Sequence, residues 1–162
     1  MLLHIQHTLP LITLSVFLCM LLGGCGFFSS SDITSPPPAA YKIVKTAYSQ
    51  IGKDYKLGGA SPKSGFDCSG LLFWVYNKHG YKLPRTTSAQ AKAGRGISKT
   101  SACEGDILVF KVAQSPRGLH TGIYTGKNCF IHSPSKGKKV KIDSVNNTYW
   151  KERLIAVRRV VR

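Results

Sequence analysis

Residues 68–76, Cys-Ser-Gly-Leu-Leu-Phe-Trp-Val-Tyr, constrain this chain more than any other stretch. They are apolar nearly all round, and the pattern runs on to Gly80, which predicts a helix buried at the centre of a domain. Asp67 stands just before it, in the position of a helix N-cap, and Cys68 opens it. The positive end of a helix stabilises a thiolate and lowers the pKa of a thiol placed there. In mid-helix, a cysteine would be an inert core residue. At the start, after a Gly- and Ser-rich approach, Cys68 becomes a candidate nucleophile.

The surrounding sequence supplies two kinds of element. Ile43, Val44, Ala47, Tyr48 and Ile51 recur at helical spacing and Gly52 follows as a stop signal, so a first amphipathic helix precedes the central one. A loop of Ser, Pro, Lys and Gly links Tyr55-Lys56-Leu57-Gly58-Gly59 to Phe66. Downstream the pattern changes to short strands at 107–111, 121–125, 130–132, 140–142 and 156–160, with Gly-Lys-Asn and Ser-Lys-Gly-Lys turns. Helices followed by an antiparallel sheet define an α+β domain. The length of 162 residues fits one such domain, and no internal repeat is present.

The beginning of the chain has a different character. Residues 11–22 form an apolar run too short to span a bilayer comfortably, and small residues follow, as in the h-region of a signal peptide. The ending Leu21-Leu22-Gly23-Gly24-Cys25 resembles the lipobox of bacterial lipoproteins. That resemblance implies that residues 1–24 are removed and Cys25 carries lipid. An ordinary signal with Cys25 incidental is the alternative. Gly26 rather than Asp follows the cysteine, which by the same resemblance points to the outer membrane, facing the periplasm. Residues 25–40 are rich in Ser and Pro and read as a flexible tether, leaving 41–162 as the folded domain.

All 23 Lys and Arg lie beyond the signal segment, so the mature part carries the whole formal charge of +16. Such a surface attracts polyanions. In the cell envelope those are wall peptides with free carboxylates, anionic lipid and surface polymers; nucleic acid is not expected. Only Lys136, Lys138, Lys139 and Lys141 form a cluster, readable as a solvated face.

Of five cysteines, Cys19 leaves with the signal and Cys25 goes to lipid, so Cys68, Cys103 and Cys129 remain. An odd number requires at least one free thiol or an intermolecular bond. Cys103 and Cys129 either pair or stay reduced. His4 and His7 also leave, and His79 suits a helix C-terminus, so His120 and His132 remain without a structural reason to exist. Thiolate catalysis needs a base, a group to orient that base, and donors for the oxyanion. If the strands carrying the two histidines are antiparallel neighbours joined at Gly126-Lys127-Asn128, the imidazoles come within hydrogen-bonding reach. The backbone N–H of Cys68 would then meet the oxyanion. A zinc site is disfavoured, because no short-spaced ligand pair is present.

Five ordered segments carry a family resemblance: Phe66-Asp67-Cys68-Ser69-Gly70-Leu71, Leu83-Pro84-Arg85-Thr86 with Gln90, Gly105-Asp106-Ile107-Leu108-Val109-Phe110, His120-Thr121-Gly122-Ile123-Tyr124-Thr125-Gly126, and Phe130-Ile131-His132-Ser133. Together they resemble the NlpC-type cell-wall cysteine peptidases, and within them the Spr-like murein endopeptidase lipoproteins. The resemblance implies a reduced papain-like fold with Cys68 as nucleophile, His120 as general base and His132 as orienting residue. It implies that Tyr55, Asp67 and Ser69 line the substrate pocket, with Asp67 either meeting a substrate ammonium or simply capping its helix. Arg85 and Gln90 either face substrate or brace the groove. The implied substrate is peptidoglycan, cut at the D-alanine–diaminopimelate cross-link in preference to the γ-D-glutamyl–diaminopimelate bond. No cofactor or metal and a monomeric state are expected. A non-catalytic wall-binding or scaffolding lipoprotein of the same fold is the competing reading.

Overall fold

The computed structural model describes residues 37–113 and 118–161. The signal segment, Cys25 and most of the tether lie outside the described residues. The first helix, α1 (Pro38–Tyr48), begins inside the stretch read as tether. Proline at the first helical position has its φ preset and no N–H to lose, and Ala40 is already fully buried with Ile43, Val44 and Ala47.

A two-stranded ribbon, β1 (Ala60–Ser61) and β2 (Gly65–Phe66), leads into α2 (Cys68–Lys78). The Asp67 side chain caps α2 by accepting from the N–H of Gly70 at 2.7 Å. The helix is less enclosed than its composition predicts. Leu71, Leu72, Val75 and Tyr76 are fully buried, but Phe73 and Trp74 are only partly covered. The short helix α3 (Thr87–Gln90) follows, capped by Thr86.

Six strands then form one antiparallel sheet: β3 (Arg95–Ile97), β4 (Ile107–Lys111), β5 (Leu119–Gly126), β6 (Cys129–His132), β7 (Lys141–Ser144) and β8 (Leu154–Arg159). Their order across the sheet is β3-β8-β4-β5-β6-β7. A last short helix, α4 (Thr148–Arg153), connects β7 to β8. The two-fold period of the strands divides the core. Ile107, Val109, Ile123 and Ile131 pack with α1 and α2, whereas Leu108, Phe110, Phe130 and Val157 form a second layer with Trp150 of α4.

The β5–β6 hairpin turns through Lys127 and Asn128, both with positive φ of 49° and 58°. That pair of left-handed residues gives a turn matched to the twist of the strands. It sets the register Ile123↔Ile131 and Tyr124↔Phe130, so the beginning of β5 comes back beside the end of β6.

Candidate active site

Cys68 reaches the surface at the start of α2, in a cleft of about 900 Å³. Tyr55, Asp67, Ser69, Arg85 and His120 line the same cleft, and Tyr149 and Trp150 of α4 form part of its wall. The structure thus gathers six residues singled out from sequence. His132 stands behind, fully buried, with its Nδ1 2.8 Å from Nε2 of His120. The two rings meet edge to face at 88°, and Trp150 stacks on His120 with 5.3 Å between centroids. Because Nε2 of His120 is committed to His132, proton exchange with a thiol falls to its Nδ1.

The nucleophile side is anchored to the histidine side through backbone. Ser133 Oγ, next to His132, donates to the carbonyl of Phe66 at 2.7 Å. Tyr55 is held by its N–H to the Lys138 carbonyl at 2.9 Å and by a bridge to Phe66. Burial, followed by the charge Cys68 carries once ionised and that of Asp67, raises the Tyr55 hydroxyl above its ordinary value.

Asp67 has little capacity left for a ligand. Beyond capping α2, it accepts from the N–H of Gly58 at 2.9 Å, from Ser69 Oγ, and from Arg85 through both terminal nitrogens at 2.9 and 2.8 Å. Burial alone would raise its carboxyl, but these donors outweigh it and hold the group below the usual carboxylate range. Arg85 also donates to Ser69 Oγ and to the carbonyl of Gly59, so its guanidinium ties the cap to the cleft wall. Gln90 is fully buried and bridges the carbonyls of Ser69 and Pro84 to the Thr121 hydroxyl. It is a brace, outside the cleft lining.

The electrostatics depart from the reading of a preformed thiolate. Burial pushes the Cys68 thiol up, and the Asp67 charge adds to it, while N–H groups of Thr121, Ser69 and Cys68 itself pull it down without prevailing. Burial, then the neighbouring His132, pushes His120 down to about 3. The resting pair is a thiol beside a neutral imidazole. Helix-start donors therefore serve a charge that appears during reaction rather than one already present.

Sequence reasoning missed Trp150, which stacks on His120, and one acidic residue. Asp143 on β7 accepts from Nε2 of His132 at 2.9 Å, from the Trp150 indole at 3.1 Å and from Lys141 Nζ at 2.8 Å. Burial works to raise its carboxyl, but His132, Lys141 and Trp150 together hold it well below the usual range. The available signal was an acid inside a strand of a chain with only 7 acidic residues. No disulfide joins Cys103 and Cys129 among the described residues, where no group of three or more His, Cys, Asp and Glu side chains is placed to hold a metal ion.

The chain is 40% identical over 111 residues to the murein DD-endopeptidase MepS/murein LD-carboxypeptidase of Escherichia coli K12, covering 68% of this chain and 57% of that one. A probable endopeptidase of Haemophilus influenzae is 32% identical over 150 residues, covering 87% and 92%. The crystal structure of an NlpC/P60 family protein from Bacillus cereus superposes with a TM-score of 0.71 at 31% identity, covering 78% of this chain and 42% of that one. The chain spans less than half the length of other curated relatives it matches, 46%, 42% and 46% of them. The NlpC/P60 family pattern itself matches residues 52–159, from the turn after α1 to the last residue of β8. The chain belongs to the NlpC/P60 family.

Proposed function

We propose that this chain is a peptidoglycan hydrolase, a cysteine endopeptidase that cuts murein stem peptides with Cys68 as nucleophile, His120 as general base and acid, and His132 as the orienting ring. One observation carries the reading: the 2.8 Å contact between His120 and His132 fixes a base whose remaining nitrogen is free to serve the thiol at the start of α2 in the same cleft. As Sγ bonds to the scissile carbonyl carbon, its proton passes to Nδ1 of His120, and the carbonyl oxygen takes up negative charge. The backbone N–H of Cys68 and the Tyr55 hydroxyl are the donors for that charge. The proton next goes to the departing amine, leaving a thioester. Water then adds to the thioester, giving a proton to His120, and Sγ leaves and regains it. Tyr55, Ser69 and Arg85 border the acyl side of the bond, with Asp67 acting through Arg85.

The D-alanine–diaminopimelate cross-link is the favoured bond, in keeping with relatives named murein DD-endopeptidase, MepS at 40% and MepH at 35% identity. The γ-D-glutamyl–diaminopimelate bond is the second choice. The working place is the cell envelope, with lipid on Cys25 holding the domain to the outer membrane on its periplasmic side. Incubation of protein lacking residues 1–25 with defined muropeptides, with products read by mass spectrometry, tests activity and bond together. Cleavage is expected in the wild type and absent in Cys68→Ala. A wild type without turnover on any muropeptide would leave the scaffolding reading in its place.

A further inference from the structure

The orienting ring is itself oriented, and the side chain that does this lies on a strand edge outside the cleft lining. We infer that Asp143 is a positioning residue that sets the tautomers of His132 and His120 in series, so that the nitrogen facing the thiol always carries a lone pair. The inference rests on the proposed role of His120.

The argument follows the hydrogens. An ionised carboxylate accepts and never donates. Asp143 is kept ionised by three donors, with Lys141 Nζ on Oδ1 at 2.8 Å and both His132 Nε2 and Trp150 Nε1 on Oδ2 at 2.9 and 3.1 Å. His132 therefore carries its hydrogen on Nε2, and its Nδ1 is left as an acceptor. That acceptor lies 2.8 Å from Nε2 of His120, so His120 donates there and its own single hydrogen is spent. With both rings neutral, this is the one arrangement in which each of the two bonds has a donor and an acceptor. The lone pair it leaves on Nδ1 of His120 is the one a thiol proton requires. Without Asp143, His132 is at liberty to hold its hydrogen on Nδ1, pair with a lone pair on His120 Nε2, and force a hydrogen onto the reactive nitrogen. That form has the right atoms in the right places and no capacity to take a proton.

The environment suits such a device. His132 is fully buried, and Phe130 and Trp150 pack against it with ring centroids at 4.8 and 5.0 Å, so its polar partners are the two that the fold supplies, His120 and Asp143. Asp143 sits opposite Phe130, and Lys141 opposite His132, in the β6–β7 register. Two residues apart on one strand, Lys141 and Asp143 share a face, so the ammonium that neutralises the carboxylate comes from the same strand.

The test uses the full-length protein labelled with ¹⁵N-histidine. Long-range proton–nitrogen correlations report which ring nitrogen bears hydrogen, and kcat and KM on a muropeptide are measured in parallel. In the wild type, His120 and His132 should both appear protonated on Nε2. Asp143→Ala should give mixed tautomers and lower kcat by about 10- to 100-fold, the usual cost of removing a group that orients a functional histidine. KM should stay within about two-fold, because the substrate-facing wall is untouched. Asp143→Asn should restore most of the rate: its Oδ1 can accept from His132 and Trp150 where Oδ2 did, with only the Lys141 pairing lost. Unchanged tautomers or unchanged kcat in Asp143→Ala would overturn the inference. If that variant fails to fold, a wild-type His132 protonated on Nδ1 would overturn it alone. Absence of hydrolysis by the wild type strikes the peptidase reading instead, and the nitrogen signals still judge Asp143.

Discussion

Burial moves Cys68 and His120 in opposite directions, the thiol up and the imidazole down to about 3, so the two meet as uncharged partners across the neutral range. The acid limb of kcat/KM reports protonation of the free enzyme's base. That limb should therefore lie well below pH 6.5, with hydrolysis on a plateau from about pH 5 to 8. A stopped assay across that range checks it, and a limb centred near 6.5 would show His120 to be an ordinary exposed histidine. Individual side chains were legible in the sequence to the extent that their chemistry was local. Cys68 and Asp67 were readable because a cap and a helix start are neighbours in sequence, and the histidines because elimination left only two. Asp143 was not, since its meaning comes from a ring 11 positions away and an indole 7 positions away, joined only by folding.

Among the elements, β4 was readable because its pattern matches what buries it, and α2 because of its cap and long apolar run, although that run overstated its burial at Phe73 and Trp74. Ile107 to Phe110 is wholly buried, as a continuous apolar run in a central strand requires. The strand β3 was not readable. Arg95 and Gly96 are exposed and Ile97 half-covered, so the segment owes its shape to pairing with β8. The helix α4 buries none of its residues fully, which removes the periodic signal although Trp150 is essential to the roof over the histidines. The start of α2 carries a constraint of another sort. A Cβ on Gly70 would stand 2.0 Å from the backbone carbonyl oxygen of Gly59. That carbonyl also receives Arg85 and the N–H of Asp67, so it cannot retreat cheaply. Gly70→Ala is expected to destabilise the fold by about 1–3 kcal/mol or more. It should also lower hydrolysis in the fraction that remains folded. Urea unfolding followed by intrinsic fluorescence, with activity assayed below the transition, measures both.

For the molecule as a whole, acid sensitivity follows from groups whose folded pKa values lie below their unfolded ones. Burial lowers His120 to about 3 and His132 in the same direction, and Asp67 and Asp143 are also depressed. A depressed histidine binds fewer protons folded than unfolded, so stability is complete above pH 6.5 and falls as pH drops towards 3. The depressed carboxylates add to this loss only below about pH 4. Both signs agree. The unfolding free energy from denaturant titration should fall between pH 7 and pH 4 by an amount on the order of a few kcal/mol, the midpoint falling with it, and His120→Asn should flatten the slope. A midpoint independent of pH over that interval would mean that the rings titrate normally in the fold. At this scale the α+β class was legible, since the change from helical to strand period is visible along the chain. The sheet order was not, because the pairing of β8 between β3 and β4 joins residues 44 to 64 positions apart that share no local signal.

The separation of the reacting groups has a further outcome. Cys68 comes from a helix and His120 from a strand, 52 positions apart (120 − 68), and they share a cleft only once the sheet has closed on α2. A nascent or threading polypeptide holds the same thiol and the same imidazole with nothing to bring them together. On the proposed role of this pair, catalytic competence requires the sheet to be seated on α2.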